Sequence, residues 1–526
     1  MKKYLFLAFF LLVGITAFAQ NVGDYGNIKS GTWTTLSNWA LWDGTAYSTP
    51  AASLPDSTKN VFIVATTTIT LDDSLAACNN LTIDGTFEPS KTAPTNLTVA
   101  GNVLIDVGGI YKVLSNTLAI PGDLLHNLYV YGNFTNNGTM DFRTGTNGTT
   151  LSAVNTTFLG SSNSTVTMSV YTTTNNEFNA VTINKTNGAN VICGSEVVQS
   201  GGNSTHISAK LIFVSGKIIT GNFGWTMLST SSADLVGADS THYVLGTMGR
   251  GMSNTAGKTN NFTVGDGYGY RPFNIRSTTS GQQTGNYVRV SCIHNNANTG
   301  SSVLTADIDK VSSVRYYQIS YGYYMTGTLP APTMSFDRFA PSYGTDDGVA
   351  PGNQNLRVAY SVDERADWIG LTQTTHTDST SLTSQPRTIY GDSLAPANVI
   401  VLNSSPTNYV YVALARVAGT TENSLDYTVT GIKDNSTKPL NFDLSQNYPN
   451  PFNPSTMINF SIKQNSFVTL KIYDALGREV VTLVNGDKEQ GSYQVNFNAR
   501  NLSNGVYFYK LTAGNFTDIK KMILLK

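Results

Sequence analysis

Apolar and polar residues alternate along most of this chain at the two-residue period of a strand with one buried face. Between residues 24 and about 225 the alternation comes in short runs closed by Gly, Asn or Asp: "NLTIDGTF", "NLTVAGNVLIDVGGIYKV", "LYVYGNFTNNGTMDF", "NAVTINKTNGANVIC" and "AKLIFVSGKIIT". They recur at roughly 20 to 30 residues, a spacing that suggests stacked coils, none able to bury its apolar face alone. The pattern predicts a parallel β-helix with Asn and Thr ladders between coils. About eight or nine rungs at ~4.8 Å would make a rod of roughly 40 Å. The irregular spacing keeps one or two antiparallel sandwiches open as the competing architecture.

From residue 226 to about 432 strand-like runs continue without a repeat: "HYVLGTMGR", "YVRVSCIH", "VRYYQISYGYYM", "TMSFD", "NLRVAYSV", "ADWIGL" and "NYVYVALARV". Gly, Pro and Asn punctuate them, and the number of short strands predicts one sandwich. Residues 433–439, "KDNSTKP", read as an exposed linker.

The sharpest alternation fills residues 440–526. Ile458, Phe460 and Ile462 share one face of a run, as do Val468, Leu470 and Ile472, then Tyr493, Val495 and Phe497, then Tyr507, Tyr509 and Leu511. Turn residues separate the runs at 474–477, 485–486 and 504–505, which predicts a small antiparallel sandwich. The lead-in "NYPNPFNP" carries three prolines and excludes helix. The pieces "LSQNYPNPFNPST", "LKIYDALGREVVTLV", "GSYQVNF", "LSNGVYFYKL" and "KKMILLK", in that order, resemble the type A C-terminal sorting domain of the type IX secretion system. The residues that carry the resemblance are Asn447, Tyr448, Pro449, Asn450, Pro451, Phe452, Asn453 and Pro454, then Tyr473, Asp474 and Gly477, then Gly505 and Tyr507, and finally Lys526. The resemblance implies an immunoglobulin-like sandwich, export across a Gram-negative outer membrane, recognition by the type IX translocon, and removal by a sortase with attachment to surface polysaccharide. The string "HYVLGTMGR…NNFTVGDGYGYRPFNI", with "VRYYQIS" and "YVALAR", is similar to a spacer region of other cargo of that system, and this implies no activity.

Composition agrees with a β-rich, turn-rich chain. Only 13% of residues are charged, while Gly numbers 47, Tyr 27 and Phe 23. A formal net charge of −1 gives no electrostatic case for nucleic acid or an anionic membrane. Lys2 and Lys3, the apolar run over residues 4–15 and the small-x-small site at residues 17–19 make residues 1–19 a signal peptide, cut between Ala19 and Gln20. It implies passage through the Sec translocon to the periplasm. The three cysteines, Cys78, Cys193 and Cys292, are too few and scattered for a disulfide framework or a zinc site, and read as small buried side chains.

No catalytic, cofactor or metal constellation emerges. Residues 391–394 spell GDSL, but the histidine such an esterase needs downstream of Ser393 is missing, because the last one is His376. Asp346 and Asp347 in "GTDDG" could donate to Ca²⁺ but read as a solvated turn. Trp33, Trp39 and Trp42 offer either a platform for sugars or a plug on the first rung, the plug being the expectation. Asp84, Asp106 and Asp141 recur near rung ends, where turns commonly use Asp. Ser57, Ser74, Ser240, Ser379 and Ser393 each follow an Asp and precede Leu or Thr, which looks like the O-glycosylation acceptor pattern of bacteria that carry this secretion system.

The expectation is thus an all-β chain: signal peptide 1–19, β-helix-like solenoid 20–225, central β-sandwich 226–432, linker 433–439 and sorting domain 440–526. It would be secreted or held at the outer cell surface, in adhesion or extracellular matrix contact without catalysis or cofactor. Surface polysaccharide or glycans are the candidate contacts. The alternative is a polysaccharide lyase or hydrolase on a β-helix scaffold, which needs acidic and basic side chains converging from neighbouring rungs.

Overall fold

The computed structural model describes residues 20–118, 122–145, 149–168, 176–199, 209–252, 257–278, 286–299, 302–323, 333–344, 347–349, 355–371, 375–377, 387–390, 400–403, 409–421, 423–426, 442–447, 450–452, 455–488, 490–499 and 502–525. The signal segment with Ala19, the linker 433–439 and the GDSL string lie outside them. The described residues are all-β, strands joined by turns and two 3-10 segments, Leu36–Asn38 and Ser232–Asp234. The chain divides into two compact units at residues 427 and 428.

In the first unit the chain visits three parallel ladders in turn. The first begins with Tyr25–Asn27, Val61–Ile63, Leu81–Ile83, Val103–Ile105 and Phe134–Asn136, and continues through Ser164–Met168, Val191–Cys193, Ile218–Met227 and Val244–Gly251 to Val264–Gly265. The second runs from Gly31–Thr32 through Thr68–Leu71, Thr86–Pro89 and Ile110–Lys112 to Thr139–Asp141. The third runs from Ala76–Cys78 through Asn96–Val99, Leu124–Val130, Ser152–Gly160, Val181–Lys185 and Leu211–Ser215 to Leu235–Val236. Parallel pairing therefore continues past residue 225, where the repeat was expected to end.

Two devices hold successive coils in register. An asparagine stands immediately before the first-ladder strands at Val61, Leu81, Val103, Phe134, Ser164 and Val191. Asn60 Nδ2 donates to Asp24 (3.0 Å), Asn80 Nδ2 to Asn60 (2.8 Å), and both the backbone N–H and Nδ2 of Asn102 to Asn80 (2.7 and 3.1 Å). Asn133 and Asn190 extend the ladder through backbone donors to Asn102 and Asn163, each at 2.8 Å. An amide that accepts from the coil above and donates to the coil below satisfies the polar groups of a tight turn without water. Where the chain turns from the first ladder to the second, Gly85, Gly109 and Gly138 sit against carbonyl oxygens, and a Cβ at Gly109 would collide with that of Ile83.

Inside, an aromatic column follows the stack. Trp39 meets Trp33 at 5.0 Å, Trp33 meets Phe87 at 6.1 Å, and Phe87, Tyr111 and Phe142 succeed one another at 5.0 and 4.7 Å. Phe142 then leads through Phe178 to Trp225 at 6.1 and 6.3 Å. Trp33 and Trp39 are 1% exposed and joined by a 2.8 Å hydrogen bond from the Trp39 indole to the Trp33 carbonyl. They plug the stack and cannot serve as a platform for sugars. Trp42 is half-buried against Tyr47.

Strand Val244–Gly251 changes the pairing rule. It runs parallel to Ile218–Met227 and antiparallel to Asn286–Ile293, which leads antiparallel to Tyr316–Tyr323, Tyr409–Val417 and Leu356–Ser361. A second antiparallel sheet includes Thr259–Phe262, Phe273–Ser277, Thr333–Tyr343 and Ile400–Asn403. One continuous hydrophobic cluster extends from Tyr25 through Ile275, Tyr317 and Phe339 to Leu425, so the coils and the antiparallel sheets share a core. The three cysteines are buried, as expected.

The second unit has its own core. Strands Asp443–Leu444, Ser455–Ile462 and Gly491–Asn498 form a three-stranded antiparallel sheet; Glu479–Lys488, Ser466–Asp474, Gly505–Ala513 and Phe516–Leu524 form a four-stranded one. Ile458, Ile462, Val468, Leu470, Ile472, Tyr509 and Leu511 are fully buried between them.

Candidate functional site: the tail seam

The lead-in of the second unit is sewn to its last strand. Phe452 N–H donates to the Ile523 carbonyl at 2.9 Å, and Leu525 N–H returns a bond to the Phe452 carbonyl at 3.0 Å. The Asn450 amide accepts from Ile523 N–H (2.8 Å) and donates to the Lys521 carbonyl (3.2 Å), while Gln446 Nε2 reaches that same carbonyl at 2.7 Å. A proline-rich stretch lacks the donors for a full ladder, so side-chain amides supply the bonds its backbone cannot. Phe452, 2% exposed, fills the core beside Phe497.

Tyr509 fastens the seam from inside. Its hydroxyl accepts from Asn447 N–H at 2.6 Å and donates to the Ser445 carbonyl at 2.8 Å. Burial pushes that hydroxyl up to about 12, so it stays protonated and keeps its donor role. Asn447 is itself buried and donates to Thr456 Oγ1 at 2.9 Å.

The turn after Tyr473 is built by Asp474. Its carboxylate accepts from Leu476 N–H and Arg478 N–H (2.9 and 3.0 Å) and from the Arg478 guanidinium (2.7 Å). The Arg478 backbone bond is the main cause that holds this carboxyl below the usual range. Gly477 supplies the positive φ of +77° that closes the turn. Tyr507, mostly buried, donates to the Ser503 carbonyl at 2.8 Å and braces the turn before Gly505.

Residues 446–525 match the family described as secretion system C-terminal sorting domain. The chain is cargo of the type IX secretion system. It interacts with that machinery and is exported through the periplasm to the cell surface or beyond. No curated protein and no solved structure matches the chain. Of the sorting-motif residues, Asn447, Asn450, Pro451 and Phe452 gather at the seam, Tyr473, Asp474 and Gly477 at one turn, and Gly505 and Tyr507 on the strand between; Tyr448, Pro449, Asn453, Pro454 and Lys526 lie outside the described residues. Tyr509 and Gln446 escaped the sequence reading as seam residues. Tyr509 was visible only as one member of an alternating run, and nothing in that run marks its hydroxyl as a fastener.

Upstream of the sorting domain the structure distributes the other candidates. Gln20, Ser57, Ser74 and Ser240 are exposed, and Ser379 and Ser393 lie outside the described residues. Asp347 is fully buried against Arg315 and accepts from Gly344 N–H at 2.7 Å, so its half of the expected solvated turn is instead an interior ion pair; Asp346 is outside the described residues. Arg315 also reaches Asp266 at 2.7 Å, and His294 Nδ1 stands 3.2 Å from the same carboxylate. Burial opposes ionisation of Asp266, but Arg315 and His294 outweigh it and hold that carboxyl low.

Two faces of the coils differ in charge. On the second ladder Lys112 lies in register with Asp141, and Asp141 bridges in parallel to Glu177. Burial raises the Asp141 carboxyl, opposed by the Arg143 backbone and the Lys112 ammonium. Asp84 is raised by burial and then by neighbouring Asp106. Among the described residues no three His, Cys, Asp or Glu side chains gather as metal ligands. The outward face of the third ladder carries one column of Ala77, Thr98, Tyr129, Thr157, Thr182, Ile212 and Val236, flanked by Asn96, Asn127 and Asn155. Asn127 Nδ2 donates to Asn96 Oδ1, and Asn179 Nδ2 to Asn155 Oδ1, both at 2.8 Å.

Proposed function

We propose that this chain is a surface-displayed or released contact protein, acting in adhesion or extracellular matrix contact without catalysis. The parallel ladders, their asparagine ladder and the interior aromatic column support a β-helix-like solenoid for the first part. The two antiparallel sheets that share its core support a sandwich after it, and the three- and four-stranded sheets support an immunoglobulin-like sorting domain. The observation that carries the functional reading is the in-register column of Thr98, Tyr129, Thr157 and Thr182 on the third ladder with Asn96, Asn127 and Asn155 beside it, a surface suited to lying against another surface. Delivery follows the Sec translocon and then the type IX translocon, with a sortase attaching the product to surface polysaccharide. Exposed Ser57, Ser74 and Ser240 are accessible for O-glycosylation.

The test compares attachment of wild-type cells to glycan- and matrix-coated surfaces with that of cells lacking the chain and cells making it without residues 440–526. Both altered strains should attach less, and unchanged attachment would refute the contact role. A second reading, a polysaccharide-active enzyme, is favoured by Lys112, Asp141 and Glu177 on three successive coils. Two carboxylates a rung apart, one raised by burial, suit an acid and its partner. Release of new chain ends from polysaccharide by the secreted protein, abolished by Asp141→Asn and by Glu177→Gln, would establish it in place of the contact role.

A further inference from the structure

The third-ladder face has a chemistry specific enough to name a partner class, on the footing of the contact role. In the column Thr98, Tyr129, Thr157 and Thr182, each residue sits in register on the next coil. Successive coils advance by ~4.8 Å. That step is close to the advance per sugar of an extended β-1,4-linked chain. Thr hydroxyls both donate and accept, as sugar hydroxyls do. The Tyr129 ring adds a flat apolar area for the C–H face of a pyranose. Beside the column, Asn127 and Asn155 are already tied to neighbouring amides, so their orientation is set before anything binds and little side-chain freedom is lost on contact.

Charge decides between glycan classes. Thr98, Tyr129, Thr157 and Thr182 and the flanking Asn96, Asn127 and Asn155 include no acidic or basic side chain, whereas the second ladder presents Glu88, Lys112 and Asp141. A uronate, a nucleic acid or an anionic lipid would find no cation among these column and flank residues to pair with, the exposed Lys210 standing beyond them at the head of Leu211–Ser215. We propose that the outward face of the third ladder binds a neutral, extended β-linked polysaccharide lying along the axis of the coils.

The experiment pulls down the full secreted chain with microcrystalline cellulose, chitin and, as the charged contrast, insoluble polygalacturonate. Binding to a neutral glycan is expected, with little change between about 0.1 and about 1 M salt, over which screening tightens from ~10 to ~3 Å. Thr157→Lys and Tyr129→Ala should each weaken it roughly ten-fold or more. Both side chains point outward, and a melting curve checks that the coils survive. If either variant unfolds, the isosteric pair Thr157→Val with Thr182→Val, which removes hydroxyls without charge or volume, should give the same loss. Failure to bind any neutral glycan, a preference for polygalacturonate that salt abolishes, or folded variants that bind like wild type would each overturn the proposal. A chain that binds no neutral glycan yet still supports cell attachment refutes this partner and leaves the contact role standing. Loss of both refutes both.

Discussion

The two units are built from the same element by opposite rules. In the three ladders of the first, each strand pairs in parallel with the next strand of its ladder, and short strands are held by side-chain bonds as well as by backbone. In the second, long strands pair antiparallel, several with a sequence neighbour across a tight turn, and side chains are needed mainly where prolines interrupt the backbone. Parallel stacking tolerates loops of any length between rungs, because only the rung must keep register. Antiparallel hairpins fix both the strand and its turn. This is why the second unit keeps a pattern that a family description can match over residues 446–525.

The sharpest way to break this comparison is to damage one core and watch both. Ile183 is fully buried in the interior of the third ladder. Ile183→Asp should cost roughly 3 to 5 kcal/mol and remove the first unit's calorimetric transition, leaving that of the tail in place. A simultaneous loss of both transitions would show that the units are not independent. Leu104→Asp should do less: Leu104 is buried but lies between the inward Val103 and Ile105, outside the interior cluster.

A second difference is titratable. His126 lies inside the coils, with Nδ1 at 2.9 Å from Thr95 Oγ1 and Nε2 at 3.3 Å from Ser152 Oγ, and burial lowers it to about 4. Above its ordinary value near 6.5 it is neutral whether folded or not, and its full contribution is present. As pH falls from there toward 4 the unfolded chain takes a proton that the native chain refuses, so stability declines by about 3 kcal/mol and then levels. Denaturant titrations across that window should show a slope in the first unit that His126→Gln removes. An unchanged slope in the variant would move the effect to other groups.

Smaller still are the fasteners. Asn80→Ala removes the acceptor of two Asn102 donors and a donor to Asn60, and should cost about 1 to 3 kcal/mol in the first unit. Tyr509→Phe, which unpairs Asn447 N–H and the Ser445 carbonyl, should cost about 1 to 2 kcal/mol in the tail alone. Thermal melts of the two variants should therefore shift different transitions. Equal shifts in both would erase the distinction between ladder and seam.

Much of this was legible in the sequence. The alternation at Ile458, Phe460 and Ile462, or at Val468, Leu470 and Ile472, falls on buried faces because successive residues of a strand point to opposite sides of its sheet. The all-β character followed from the Gly- and Asn-closed runs. Less visible was the strictest signal of all, the asparagine immediately before Val61, Leu81, Val103, Phe134, Ser164 and Val191. Loops of unequal length hide it, and one asparagine among many carries no mark that it bonds to the coil above. The handover at Val244–Gly251 was equally hidden, because a strand that pairs in parallel on one edge and antiparallel on the other has an ordinary composition. Asp347 misled for a related reason: an acidic residue beside glycine looks solvated until a buried Arg315, just before strand Tyr316–Tyr323, is brought to it.

The seam that joins residues 450–452 to residues 521–525 has one more consequence. Synthesis proceeds from the first residue to the last, so the lead-in leaves the ribosome well before the strand that holds it. Until Lys521, Ile523 and Leu525 exist, Asn450 and Phe452 have nothing to bond to. A chain broken off by premature termination or nicked near its end would carry the lead-in residues yet never set them in place. The seam thus makes the finished sorting domain a receipt for a chain translated through its final strand, withheld from fragments.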